Sequence, residues 1–159
     1  MGAWLAAEGL LDPRWQLVHA THTVPAEIEA VTRAGSAAVI CPSTEANLGD
    51  GLADLPGWLD AGVGLAIGSV MRDEDLADIV VGRDGRLSGP DLVGGLISGL
   101  RKAGRNVIDI GLAPTPVAYF AAYHLRTGSS VAVTGSHNPP DYNGFKIVVG
   151  GQTLSGDAI

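Results

Sequence analysis

Cysteine is almost missing from this chain. Cys41 stands alone among 159 residues, which excludes an internal disulfide and suits a reducing, cytoplasmic setting. Basic charge is scarce as well. Lys and Arg number 10 against 17 Asp and Glu, a formal net charge of −7. That balance argues against nucleic acid and against an anionic membrane surface as main partners. It leaves phosphate ligands open, because a few local cations and N–H groups can outvote the global charge. No apolar run is long enough to span a bilayer. No basic n-region with an apolar h-region opens the chain, so no signal peptide is expected. Met1-Gly2 lacks the Ser or Thr at position six that myristoylation needs, since Ala6 is there. No Pro/Ser/Gly-rich linker divides the sequence.

What is present reads as α/β. The length suits one domain with a real core, and 23 glycines suit many strand-to-helix turns. A short helix over residues 1–11 precedes a buried strand, Gln16–His19. Pro25 and Gly35 bracket a helix, and Ala37–Cys41 reads as a second buried strand. Beyond a loop, Ser43–Gly51, come a weak helix (Leu52–Ala61) and a third short strand, Gly64–Gly68. This βαβαβ pattern implies parallel pairing. The glycines Gly62, Gly64 and Gly68 do not make a dinucleotide fingerprint, because they precede or interrupt a strand.

Downstream, Met71–Ala77 reads as a helix end and Asp78–Gly82 as a buried strand. Ser88 and Pro90 mark a helix start, and Leu92, Val93, Leu96, Ile97 and Leu100 share one helical face. Gly94, Gly95 and Gly99 weaken that helix unless close packing requires them. Asn106–Ile110 is the next strand, and Val117–Leu125 the next helix, with Tyr119, Phe120 and Tyr123 expected in the core. Val131–Val133 and Phe145–Val149 are the last strands. The expected fold is a three-layer αβα arrangement around a mostly parallel, mixed sheet. Incomplete sheet edges leave self-association open.

Between those last strands runs Thr134-Gly135-Ser136-His137-Asn138-Pro139-Pro140, then Asp141-Tyr142-Asn143-Gly144-Phe145-Lys146. Gly, Asn, Asp and Pro permit tight, fixed turns here. A hydroxyl (Ser136), an imidazole (His137), an amide (Asn138) and an ammonium (Lys146) fall within one strand-end loop. A serine such as Ser136 can act as a nucleophile or carry a phosphoryl group as a stable phosphoester. Lys146 can supply charge or exchange a proton. Asn138 and the backbone N–H groups around Gly135 can steady oxygens. His137 is equally an electrostatic helper or a loop fastener.

This loop resembles the phosphoserine loop of the α-D-phosphohexomutases, most closely the bacterial phosphomannomutase/phosphoglucomutases. The resemblance continues upstream through Val80-Val81-Gly82-Arg83-Asp84-Gly85-Arg86-Leu87-Ser88-Gly89-Pro90 and Asp109-Ile110-Gly111-Leu112-Ala113-Pro114-Thr115-Pro116. It implies that Ser136 is phosphorylated and ligates an essential Mg²⁺, that Lys146 lies near the reacting hydroxyl, and that Thr134, Gly135, Asn138, Arg83 and Arg86 belong to the phosphate loop. Arg83 and Arg86 are open between a role in the site and pairing with Asp84. Hexose phosphates are the implied partners, with glucose 1,6-bisphosphate as activator. The family's Tyr-Asp-Ile-Arg-Gly element, its three-Asp metal loop and its sugar-binding domains have no counterpart here. Negligible turnover by the chain alone is therefore expected.

Residues 1–69 carry a second resemblance. Leu17-Val18-His19-Ala20-Thr21-His22 and Cys41-Pro42-Ser43-Thr44-Glu45-Ala46-Asn47-Leu48-Gly49-Asp50-Gly51 resemble late barrel strands of metal-dependent amidohydrolases, above all formimidoylglutamate deiminases. The family's other histidine ligands and its strand-end Asp are missing, with Gly68-Ser69-Val70 where the Asp should be. His19 and His22 alone cannot make a zinc site. The two resemblances meet near Ala66–Ser69, which implies a chimera of fragments, 1–69 and 70–159. A metal-dependent deaminase fragment and a non-catalytic α/β scaffold are the rival readings. A serine hydrolase lacks its Gly-x-Ser-x-Gly elbow.

Overall fold

The computed structural model describes residues 2–39, 48–49, 53–140 and 142–154, without the side chains of 2, 3, 60 and 61. The expectations for Cys41, for most of the Ser43–Gly51 loop and for Asp141 fall outside these residues. Among the described residues, no helix is long and apolar enough to cross a membrane.

The main sheet has the order β4-β3-β5-β6-β7. Its strands are β3 (Asp78–Arg83), β4 (Asn106–Leu112), β5 (Ser130–Val133), β6 (Phe145–Val149) and β7 (Gln152–Thr153). β3 pairs in parallel with β4 and β5, while β6 and β7 return antiparallel. Ile79, Val80 and Val81 of β3 are fully buried, as a parallel strand covered on both faces requires.

One face packs on helices α4 (Leu65–Asp73) and α5 (Gly89–Lys102). Met71, Leu96 and Leu100 meet Ile79, Val131 and Val149 there in one apolar cluster. On the other face lies α6 (Thr115–His124), which contacts β3 and β5 and buries only Ala118 and Ala122. The sheet is thus mixed, open and covered on both sides.

The aromatic residues of α6 correct an expectation. Tyr119, Phe120 and Tyr123 are 39%, 61% and 85% exposed rather than in the core. Ala118 and Ala122, one turn apart, let the helix settle close to the sheet and turn the rings outward. Phe120 stacks on His124 instead, with ring centroids 5.4 Å apart.

The third strand is also corrected. Residues 64–68 are helical, in a π-helical stretch Leu59–Gly64 that continues into α4. Leu59, Val63, Ile67 and Met71 recur every fourth residue, and all four pack into the core cluster. That period marks a helix face, which a window of five apolar residues hides. A Cβ on Gly64 would lie 2.7 Å from the Leu96 carbonyl and 2.8 Å from Gly99 Cα, so glycine serves a close helix crossing.

Upstream lie α1 (Gly2–Ala7), α2 (Pro25–Arg33) and α3 (Leu55–Trp58). Strands β1 (Gln16–Val18) and β2 (Ala37–Val39) pair in parallel across α2 and, among the described residues, only with each other. They are not buried strands: Val18 is 56% and Val39 37% exposed. A two-stranded ribbon has no second layer to cover both its faces.

Candidate active-site loop

Parallel pairing of β3 with β5 sets Arg83 opposite Val133. The segments that leave these strands, 84–88 and 134–140, therefore emerge side by side at the C-terminal edge of the sheet, the usual ligand edge of open α/β folds. Asp84 N–H donates to the Val133 carbonyl at 3.0 Å, which fastens the first segment to the end of β5.

Asp84 is the hub between the two segments. Its carboxylate accepts from the Arg86 N–H (3.1 Å), the Arg86 Nε (3.0 Å) and the Gly135 N–H (3.2 Å). The Thr134 hydroxyl also hydrogen-bonds to it. Burial pushes the Asp84 carboxyl up, but these donors outweigh it and hold it below its ordinary value. Arg86 then spans the gap between the loops. Its Nη2 donates to the carbonyls of Asn138 (2.8 Å) and Ser136 (3.3 Å), and its Nη1 to that of Pro139. The Arg86 side chain is 12% exposed and the Asp84 side chain 26%. Gly135 is glycine for the same reason: a Cβ there would fall on the Arg86 guanidinium, 2.5 Å from Nε.

The result is a loop whose backbone is held while its side chains are exposed. Ser136 adopts φ 54°, in the left-handed region that non-glycine residues seldom occupy. Its N–H donates to the Thr134 hydroxyl at 2.9 Å, and the Asn138 N–H to the Gly135 carbonyl at 3.0 Å. The Gly135, Ser136 and Asn138 N–H groups, which the sequence offers as oxygen donors, are thus engaged within the site's own scaffold. Ser136, His137 and Asn138 are exposed. Lys146, opposite Ala132 in the β5–β6 register, is exposed on the sheet face away from Ile147 and Val149. The Arg83 Nη1 donates to the Asp84 carbonyl at a long 3.4 Å. Its stem packs where Gly89 starts α5, 3.1 Å from a would-be Cβ.

A second tie joins the two segments. Ser88 stands at the helix N-cap, as its sequence position suggests, but its hydroxyl does not cap. It donates to Asn143 Oδ1 at 2.7 Å instead. An open cleft of about 570 Å³ runs between Ser88, Asn138, Pro140 and Asn143. The sequence signals neither tie, since the partners stand more than 50 residues apart.

A divalent cation does not fit the described residues here. Among the described residues, no three His, Cys, Asp or Glu side chains gather as a metal site. Ser136 offers one oxygen, and the Asp84 oxygens are occupied by hydrogen bonds. His19 and His22 follow β1, in the other sheet, and His19 itself has φ 74°.

A family model described as phosphoglucomutase/phosphomannomutase, alpha/beta/alpha domain I, matches residues 61–159. The phosphomannomutase/phosphoglucomutase of Pseudomonas aeruginosa is 57% identical over 97 residues, covering 61% of this chain and 21% of that protein. A phosphoglucomutase of Neisseria gonorrhoeae is 50% identical over the same shares. The crystal structure of a phosphoglucomutase/phosphomannomutase family protein from Burkholderia thailandensis superposes with a TM-score of 0.57 at 53% identity, covering 60% of this chain and 22% of that one. The chain spans about one fifth of the length of these relatives.

Proposed function

The chain belongs to the phosphoglucomutase/phosphomannomutase family through its domain I, and from this we propose that it carries the phosphoryl relay of a hexose-phosphate isomerase. Ser136 is the relay. In its phosphorylated form it gives the phosphoryl group to a free sugar hydroxyl at C1 or C6: the P–Oγ bond breaks as the new P–O bond forms, and the hydroxyl's proton passes through a base to the departing Ser136 Oγ. The resulting sugar bisphosphate then returns its other phosphoryl group to Ser136 Oγ, whose proton goes to the departing sugar oxygen. Mannose and glucose phosphates are the proposed substrates. The observation that carries this reading is the exposed Ser136 hydroxyl on a left-handed backbone at the sheet's ligand edge.

Lys146 and His137 are proposed as charge and proton partners, and Asn138 and Thr134 as loop residues beside the phosphate. Arg86 is bound to loop carbonyls, which favours a scaffold role over phosphate contact. Mg²⁺ would take one ligand from phosphorylated Ser136, and the described residues supply no second one. The single thiol fits a cytoplasmic setting. The proposed join of the two fragments, 1–69 and 70–159, stays near Ala66–Ser69, inside the stretch that the family match covers from residue 61.

The test exchanges residues 61–159 for the matching stretch of the Pseudomonas aeruginosa relative and follows glucose 1-phosphate conversion. Turnover is expected, with Ser136→Ala lowering it by more than about a thousandfold. An exchanged protein that keeps its full activity after Ser136→Ala would sink the reading. The isolated chain is expected to show no measurable conversion in the same assay.

A further inference from the structure

We infer that Asp84 and Arg86 form a latch that sets the backbone of Ser136, making both of them positioning residues for the reaction of that serine. The inference rests on the reading of Ser136 as phosphoryl acceptor for its functional meaning, but not for its geometry.

Three observations carry it. First, one guanidinium reaches three successive points on the loop, the carbonyls of Ser136, Asn138 and Pro139. A planar fork with several fixed donors can do this; an ammonium on a flexible stem cannot hold the same set. Second, the guanidinium is itself held by Asp84, whose carboxylate also takes the Gly135 N–H and the Thr134 hydroxyl. Thr134 in turn accepts the Ser136 N–H. Ser136 is thereby gripped at its N–H through Asp84 and Thr134, and at its carbonyl through Arg86. Third, the grip is needed. A serine at φ 54° reverts to an ordinary backbone unless its surroundings over-determine it. Gly135 leaves the space that lets the guanidinium lie against the chain.

A latch of this kind fixes where Oγ points without touching the substrate. It holds the nucleophile ready for in-line attack and leaves the side chains of Ser136, His137 and Asn138 open to the ligand.

The test uses the intact 159-residue chain, labelled with ¹⁵N, as wild type, Arg86→Ala, Arg86→Lys and Asp84→Asn. Two quantities are read at Ser136: amide exchange, and the strong intraresidue HN–Hα Overhauser effect that a positive φ produces. Amides of Ile79 and Val131 serve as the fold control. Arg86→Ala and Arg86→Lys are both expected to speed Ser136 and Asn138 exchange by about tenfold or more and to weaken the Overhauser effect, with the control amides still protected. Wild-type behaviour of the loop in Arg86→Ala would overturn the latch. Full recovery in Arg86→Lys would overturn it too, since charge alone would then suffice. Should Arg86→Ala lose the control protection, Arg86→Lys and Asp84→Asn decide by the same readings. A second arm carries each variant, and Ser136→Ala, within residues 61–159 placed in the Pseudomonas aeruginosa relative, offers it glucose 1,6-bisphosphate and counts protein-bound phosphate by intact mass. Slower labelling in Arg86→Lys than in wild type is expected. Equal labelling of wild type and Ser136→Ala would fail the phosphoacceptor reading while leaving the latch to the first arm.

Discussion

Ser136 sits at φ 54° with its N–H and carbonyl both tied down. A left-handed backbone costs an L-residue with a Cβ about 1–2 kcal/mol, and glycine almost nothing. The chain keeps a serine there, so stability has been given up for a hydroxyl at that point. This can be weighed with two substitutions that both remove the hydroxyl. Ser136→Gly relieves the strain and Ser136→Ala keeps it. Glycine is therefore expected to make the chain more stable than alanine by about 1 kcal/mol, against the usual order of those two residues. Urea unfolding of the pair measures it. A more stable alanine variant would mean that Ser136 does not hold the left-handed conformation in solution.

At the scale of elements, the glycines of α5 separate into two kinds. A Cβ on Gly95 would lie 2.5 Å from the Pro56 carbonyl, whereas one on Gly94 meets nothing within 4 Å. Close packing thus explains Gly95, against the α3 segment rather than against the sheet, and leaves Gly94 unexplained. Gly94→Ala is expected to stabilise by about 0.5–1 kcal/mol through helix propensity. Gly95→Ala is expected to destabilise by about 1–3 kcal/mol through overpacking. Opposite signs for adjacent residues are the outcome to look for in urea unfolding, and equal signs would contradict the crossing. Elements like α5 were legible because their apolar spacing is long and periodic. The helix over 59–73 was not, since Gly62, Gly64 and Gly68 broke the pattern into pieces that imitate a strand. The outward rings of α6 were missed because hydrophobicity alone ranks Tyr and Phe above Ala, while the sheet needed the thinner side chain. In the site, Ser136 and its loop could be read from residue types in order. The grip of Arg86 could not, because it depends on two parallel strands that bring segments 50 residues apart to one edge.

At the scale of the molecule, the question is how far the first sixty residues share the core of the rest. Helix α2 buries Ile28 and Val31 and contacts both α1 and the π-helical stretch, so the two parts touch through helices. The sheets do not join. Strands β1 and β2 make a ribbon of their own with exposed valines. Between that ribbon and the main sheet lies an apolar cavity of about 550 Å³, with Ala38 of β2 on one wall and Trp58, Ala66 and Ile147 among the others. A seam of that kind forfeits dispersion contacts that a continuous core would keep. Two strands without a third are also marginal alone. Segment-resolved hydrogen exchange should therefore find two levels of protection. The amides of His19 and Ala37, bonded to Val39 and Trp15, are expected to exchange at least about a hundredfold faster than Val80, bonded to Ser129. The same ribbon would then be the first surface to pair with another copy, because its backbone edges open before the main sheet does. Equal protection at His19, Ala37 and Val80 would show instead that both parts unfold as one unit and that helix contacts alone unite them.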